Sequence, residues 1–124
     1  NRRTYPWGNE NKELIAFYKE MIRIHKESAA FRTGSLKILG TKKDVLSYAR
    51  FQGEDRYVVT INNAEKGQEV KVPVWQAEVP ANGSMKLLVY TDADGYSIEA
   101  KEYPVVDGLI KMTMGAHCAV VLKG

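Results

Sequence analysis

A chain of 124 residues is long enough for one domain with a single hydrophobic core. Hydrophobic residues make up 44% and charged residues 27%, values typical of an ordinary globular domain that exclude disordered and collagen-like classes. The formal charge of +3 comes from 18 basic and 15 acidic residues scattered along the chain. Nucleic acid is not an expected partner, because a phosphate-binding surface needs clustered basic residues.

The sequence contains no recognisable targeting signal. No apolar run approaches the about 20 residues that span a bilayer, so a membrane is not an expected partner. The first residues lack the apolar centre of a signal peptide. Because the sequence begins at Asn1 rather than at methionine, we expect the natural N-terminus to lie upstream, and the cellular location stays open.

The first predicted element is an amphipathic helix within residues 9–28, which Asn9 or Asn11 can cap. Its apolar residues recur at the i, i+3, i+4, i+7 spacing of a helix. They are Leu14, Ile15, Phe17, Tyr18, Met21, Ile22 and Ile24. Their arc of roughly 180° is wider than the stripe of about 100° that packs against one neighbour. We therefore expect this helix to face two bodies.

From about residue 35 the apolar period changes to two, which indicates half-buried strands. The alternating residues are Leu46 and Tyr48; Tyr57, Val59 and Ile61; and Val70, Val72 and Val74. Later strands are predicted at about 85–91, 96–100, 109–114 and 117–123, with a longer connection over 75–83. Turn signals such as Asn82-Gly83 and Asp107-Gly108 separate them. The predicted fold is mainly β with one long N-terminal helix, an antiparallel β-sandwich.

No residue pattern predicts a metal, cofactor or catalytic site. Asp92-Ala93-Asp94-Gly95 begins like a calcium loop, but Tyr103 stands where the closing acidic ligand belongs, so a hairpin turn is favoured. His25 and His117 have no metal-ligand spacing and are predicted to be packing residues. The serines lack a nucleophile elbow. Cys118, within the apolar run CAVVL, is predicted to be a buried small hydrophobe.

Three sequence segments, which follow one another along the chain, are informative when they are considered together. Residues 1–7 read NRRTYPW, and residues 14–34 run an apolar helix into the turn AAFRTG. The strand pair VLSYAR and YVVTINN then closes on GAHCAVVL. Together these segments resemble the C-terminal end of the α-amylase family, most of all its neopullulanase, cyclomaltodextrinase and maltogenic-amylase branch. Ala29 departs from the family pattern, which usually has proline there and so ends the helix more sharply.

The resemblance implies a domain organisation and a place for the missing chemistry. Residues 1–33 would be a remnant of the catalytic (β/α)8 barrel, its last loop and last helix, and residues 34–124 the Greek-key C-terminal sandwich. Glycoside hydrolysis needs two carboxyl groups about 5 to 9.5 Å apart. The resemblance implies that they lie on barrel strands before Asn1, so no catalytic residue is assigned here and this piece alone is not expected to hydrolyse glucan.

Arg2 matches the first arginine of the family's Asp-Pro-x-x-Arg-Arg-x-x-x-Trp loop, whose Asp and Pro would precede Asn1. The resemblance implies that in the intact parent Arg2 binds substrate by hydrogen bonds to sugar hydroxyls. A planar guanidinium with five N–H donors suits that role. Without the analogy, Arg2 is an exposed charge near a chain end.

Three functional hypotheses follow. In the first, the chain is a non-catalytic C-terminal fragment of an α-amylase-family enzyme that hydrolyses α-glucans of the starch, pullulan or cyclodextrin type, and its sandwich stabilises the barrel. The second is a free-standing carbohydrate-binding sandwich with an aromatic platform, although strand aromatics are more often core. The candidate aromatics are Trp7, Trp75, Tyr90, Tyr96 and Tyr103. The third is a protein-interaction sandwich unrelated to sugars.

The first hypothesis also predicts self-association. Without the barrel, part of the helix spanning residues 10–26 should dock on the sandwich near the exit at residues 31–36. The rest of its apolar arc should be buried against another copy, because large exposed apolar patches mark interaction surfaces.

Overall fold

The computed structural model describes residues 12–124, and within that range the side chains of residues 12–14 and 41 are not described. Helix α1 spans Lys12–Glu27 and a one-turn helix, α2, spans Ala29–Thr33. Nine strands and one 3-10 turn, Val74–Ala77, follow. The strands are β1 Ser35–Lys42, β2 Val45–Gln52, β3 Asp55–Asn62, β4 Gln68–Val72, β5 Ser84–Asp92, β6 Gly95–Ser97, β7 Glu102–Pro104, β8 Ile110–Met114 and β9 Cys118–Lys123.

The strands form two antiparallel sheets that pack face to face. The large sheet has seven strands in the order β1-β2-β3-β9-β5-β6, with β7 also paired to β5. The small sheet consists of β4 and β8. The predicted fold class, an antiparallel β-sandwich with one long N-terminal helix, is confirmed.

The main core lies between the two sheets. The small sheet alternates strictly, with Val70, Val72, Ile110 and alternate residues of β8 buried, because only one of its faces is covered. The large sheet contributes its own inward row. That row includes Val45, Ala49, Val58, Met85, Leu87, Cys118, Val120 and Leu122.

The opposite face of the large sheet is covered by α1, so its central strands are buried on both sides. In β3 the predicted alternating residues Tyr57 and Val59 point to the helix, whereas Val58 points into the inter-sheet core. Four consecutive residues of β3, 57–60, are therefore buried. Burial on both faces removes the simple polar alternation expected of a half-exposed strand.

The structure differs from the sequence prediction at short elements. The strand expected at 96–100 is the three-residue β6, and the sequence pattern does not indicate β7, because three residues are too few to show a period. The connection over 75–83 begins with the 3-10 turn. Within residues 12–124, no helix has the length and apolar character needed to cross a membrane.

Candidate functional site

One side of α1 docks on the large sheet. Ile24 is buried, and Phe17 and Met21 are partly buried in the same cluster. Their partners on the sheet are Tyr57, Val59, Val89 and Val121, with Tyr48 and Ile61 at the margin. Phe17 also meets Tyr96 of β6 with ring centroids 5.2 Å apart. The docked side therefore contacts the centre of the large sheet and, through Phe17, the edge strand β6.

The neighbouring part of the helix arc is uncovered. Tyr18 and Ile22, one turn apart, are 58% and 52% exposed. Between this edge of α1 and the sheet lies a groove of about 410 Å³, with Met21, Phe31 and Tyr48 among its lining residues. Its walls are mostly apolar, with His25 and Lys26 as the polar residues that line it.

The uncovered surface continues onto the edge of the large sheet. Ile38 stands opposite Tyr48 and Leu36 opposite Arg50, so both project to the helix side, as does Leu46 two residues before Tyr48. Leu36 is 61% exposed and Ile38 52%. We call this surface the open apolar face. It consists of Tyr18, Ile22, Leu36, Ile38 and Leu46.

The junction between α1 and the sandwich is fixed by specific contacts. The Ser28 hydroxyl caps α2 by accepting a hydrogen bond from the Phe31 N–H at 3.2 Å. The Phe31 ring packs on Tyr57 at 4.6 Å between centroids. Arg50 donates through Nη2 to the Gly34 carbonyl at 3.2 Å, and the Thr33 hydroxyl donates to Gln52 at 2.6 Å. These contacts fix the direction in which the helix leaves the sandwich.

The third side of α1 is polar and faces solvent. Arg23 pairs with Glu20 and Glu27, one turn to either side, and the hydrogen bond from Arg23 lowers the pKa of Glu20. Such exposed pairs add little to stability. The helix thus has a docked side, an open apolar side and a solvent side.

The chain is similar to known proteins in sequence and in fold. No model of a known protein family matches the chain. An amylopullulanase of Thermoanaerobacter thermohydrosulfuricus is 30% identical over 133 residues, covering 98% of this chain and 8% of that enzyme. A cyclomaltodextrinase of a Bacillus species is 32% identical over 74 residues, covering 56% of this chain and 13% of that enzyme. The crystal structure of an Anoxybacillus α-amylase superposes with a TM-score of 0.74 at 18% identity, over 93% of this chain and 23% of that chain.

The chain is homologous to α-amylase-family enzymes. The similarity is consistent with a C-terminal domain of such an enzyme. The chain spans less than a quarter of the length of each of these relatives. At 18% identity the structural match supports the fold alone, and it agrees with the observed sandwich.

Several predicted residues of this α-amylase-family homologue lie outside the described part. Arg2, Trp7, and the caps Asn9 and Asn11 fall before residue 12, and the side chain of Leu14 is not described. Their roles stay predictions. Asp92 and Gly95 are within the structure and close the hairpin between β5 and β6, with the Asp94 N–H bonded to the Asp92 carboxylate. The prediction of a hairpin there is confirmed.

The prediction that both histidines are packing residues is wrong. His25 is exposed at the rim of the groove because it sits where the helix arc is uncovered. His117 is exposed in the turn before β9 with a φ of 48°. Among residues 12–124, no group of three His, Cys, Asp or Glu side chains could hold a metal ion.

The candidate aromatic platform is dispersed. Tyr90 and Tyr103 pack against the inter-sheet core, and Tyr96 packs on Phe17. Trp75 alone of these four is largely exposed, at 55%. A single stacking surface made of all four aromatics therefore does not exist.

Cys118 lies within the core of this homologue, as predicted, and is 1% exposed. Burial raises the pKa of the Cys118 thiol. The Tyr90 hydroxyl donates to Asp92 at 3.2 Å, and its contact with Cys118, burial and the nearby carboxylate raise the pKa of Tyr90. Both groups are thereby kept neutral in the fold.

We expect the Cys118 thiol to be inert toward a disulfide reagent such as DTNB in the native protein. The raised pKa keeps the thiol protonated, and therefore unreactive, in the folded state. In the unfolded state the thiol ionises above its pKa of about 8.5, so the free energy of unfolding should fall as the pH rises above that value. Native and urea-unfolded protein are compared at pH 8, with Cys118→Ser as the blank. Reaction at the same rate in both states would contradict this placement.

Proposed function

We propose that the chain is a non-catalytic C-terminal part of an α-amylase-family enzyme that hydrolyses α-glucans of the starch, pullulan or cyclodextrin type. Residues 1–33 belong to the catalytic barrel and residues 34–124 form the sandwich that stabilises it. The observation that carries the proposal is the open apolar face beside the docked side of α1. A helix that shares its arc between two bodies is what the last helix of a barrel followed by a covering domain requires.

The open apolar face is large enough to matter energetically. Full burial of an apolar side chain contributes about 1.5 to 3 kcal/mol. Its five side chains already have part of their surface covered, which leaves a gain on the order of 5 kcal/mol when a partner surface covers the rest. That gain is a sizeable share of the free energy of unfolding of a typical domain, which is about 5 to 15 kcal/mol. The chain, with its helix and sandwich together, can therefore stabilise the rest of a barrel that packs on this face.

The substrate is the part of the proposal that rests on relatives. One relative is named an amylopullulanase and another a cyclomaltodextrinase. In the intact enzyme Arg2 contacts the α-glucan through its guanidinium, whereas the sandwich takes no part in bond cleavage. The reading frame upstream of Asn1 tests this directly. It should encode Asp-Pro at the start of the arginine motif and, before it, barrel strands that end in carboxylates.

An assembly experiment tests the role of the open apolar face. The upstream polypeptide and the 124-residue chain, produced as separate proteins, should copurify. The double variant Tyr18→Glu/Ile22→Glu should abolish copurification, because two charges would have to be buried without partners. Val106→Glu, at an exposed apolar residue elsewhere, is the matched control and should leave it intact. Equal copurification of all three would contradict the proposal.

We further expect the chain alone to self-associate through the helix spanning residues 10–26. Tyr18 and Ile22 are the positions to change, since Met21 packs on the sheet and its replacement would damage the fold. Sedimentation velocity should show mass rising with concentration for the unchanged chain and for Val106→Glu. Tyr18→Glu/Ile22→Glu should remain a monomer with an unchanged helical circular dichroism signal. If the unchanged chain is a monomer at all concentrations, the open apolar face is stable in contact with solvent and the prediction is contradicted.

A further inference from the structure

Trp75 is held in an exposed position by the backbone beneath it. The residue lies in the 3-10 turn Val74–Ala77, where Val74 and Ala77 are buried but Trp75 is 55% exposed. The side chain packs closely over Gly108. A Cβ atom on Gly108 would lie 2.8 Å from Trp75 Cβ and 2.9 Å from Cδ1. One side of Trp75 is therefore supported by backbone and the remainder faces solvent.

The loops around Trp75 are ordered by hydrogen bonds and unusual backbone angles. The Trp75 N–H donates to the Gly108 carbonyl at 3.1 Å, and the Gly108 N–H donates to Ala81 at 2.9 Å. Positive φ angles occur at Glu78 (62°), Asp107 (53°) and Gly108 (81°). Positive φ is costly for residues other than glycine and tends to persist at functional positions. This backbone holds Trp75 out of the core.

The polarity around Trp75 indicates the kind of partner that fits. Asn82 and Asp107 are both exposed, and the Asn82 amide oxygen accepts from the Asp107 N–H at 3.4 Å, whereas the Glu78 carboxylate is paired with Arg56 at 3.0 Å. Val106 is the exposed large apolar residue of the same loop. A protein interface normally needs an apolar patch of a few hundred Å². A sugar ring needs only one aromatic face and a few polar groups around it.

We propose that Trp75 is a stacking site for a glucose ring of an α-glucan chain, flanked by Asn82 and Asp107 as hydrogen-bonding groups. The choice of an α-linked glucan rests on the proposed function, whereas the stacking site rests on Trp75 and Gly108. Trp75 follows β4 of the small sheet, across the core from α1. The site is thus separate from the open apolar face and can hold glucan while that face is covered.

The test is an NMR titration of the 124-residue chain with maltoheptaose and, separately, with cellohexaose. The chain has two tryptophans, so the indole N–H signal of Trp75 is assigned from Trp75→Phe. We expect saturable shifts of that signal with maltoheptaose. Trp75→Ala should weaken binding at least tenfold, and Gly108→Ala should also weaken it, because the added methyl displaces the indole. Ile98→Ala, at a remote exposed apolar residue, is the matched control and should bind normally.

Each outcome decides a separate point. Absence of shifts at the highest attainable maltoheptaose concentration, or binding that Trp75→Ala leaves unchanged, would overturn the stacking site. Binding of cellohexaose alone would overturn the α-glucan assignment while leaving Trp75 as a sugar site. Failure of the copurification described above would refute the barrel-covering function without changing this titration. If Gly108→Ala fails to fold, the comparison of Trp75→Ala with Ile98→Ala still decides the result.

Discussion

Replacement of Gly34 by alanine should destabilise the protein by about 3 kcal/mol or more, since such losses arise where a new group has no space. Gly34 joins α2 to β1, and its φ of −77° is open to any residue, so the constraint is steric. A Cβ atom there would lie 2.4 Å from the Ala30 carbonyl oxygen and 2.6 Å from that of Phe51. Both are backbone atoms of paired elements, so either α2 or β2 would have to move.

Thermal unfolding followed by circular dichroism measures this effect. We expect a fall in Tm of more than about 10 °C for Gly34→Ala. Gly83→Ala is the matched control, because the nearest atom to its added Cβ is 3.8 Å away in Pro80. That variant should stay within about 0.5 kcal/mol of the unchanged protein. Equal Tm values for the two variants would show that the junction is not tightly packed at Gly34.

Replacement of Asn62 by alanine should cost about 2 to 4 kcal/mol, because buried polar groups lose their partners. Asn62 is fully buried at the end of β3. Its amide nitrogen donates to the carbonyls of Gly115 at 2.9 Å and Lys66 at 3.2 Å. Its amide oxygen accepts from the Ala64 N–H at 3.1 Å. One side chain thus ties the loop after β3 to the turn before β9.

The adjacent Asn63 provides the control for this prediction. Asn63 is exposed, and its backbone N–H, which donates to Asp44 at 2.7 Å, is kept in Asn63→Ala. Urea unfolding should show a lowered midpoint for Asn62→Ala and little change for Asn63→Ala. If both variants shift the midpoint by the same amount, the effect belongs to turn propensity rather than to the buried amide network.

The sequence predicts these elements unevenly, and Asn62 shows why. Asn62-Asn63 is a turn signal in the sequence, and a turn does follow β3. That Asn62 is buried while Asn63 is exposed depends on Gly115, more than fifty residues later. A local pattern contains no information about such a distant acceptor. The same holds for β7, whose three residues are defined only by pairing with β5.

The helix is the element that the sequence predicts best. Its wide apolar arc indicated two partners, and the structure covers one part of the arc while Tyr18 and Ile22 stay exposed. The sequence could not tell which residues face the sandwich, because that depends on the exit direction set by α2 and Gly34. Trp75 is one of five candidate aromatics in the sequence, and only its exposure and its packing on Gly108 in the structure distinguish it from the other described ones.

The position of β9 has a consequence for biosynthesis. Cys118–Lys123 lies between β3 and β5, so the two halves of the large sheet share no direct pairing without it. While the ribosome is still adding these residues, β1–β3 can form only a meander whose inner edge is unpaired. An open strand edge of this kind invites pairing with other chains. The sandwich therefore remains vulnerable to aggregation until β9 emerges, and its large sheet closes only after all of its other strands have been made.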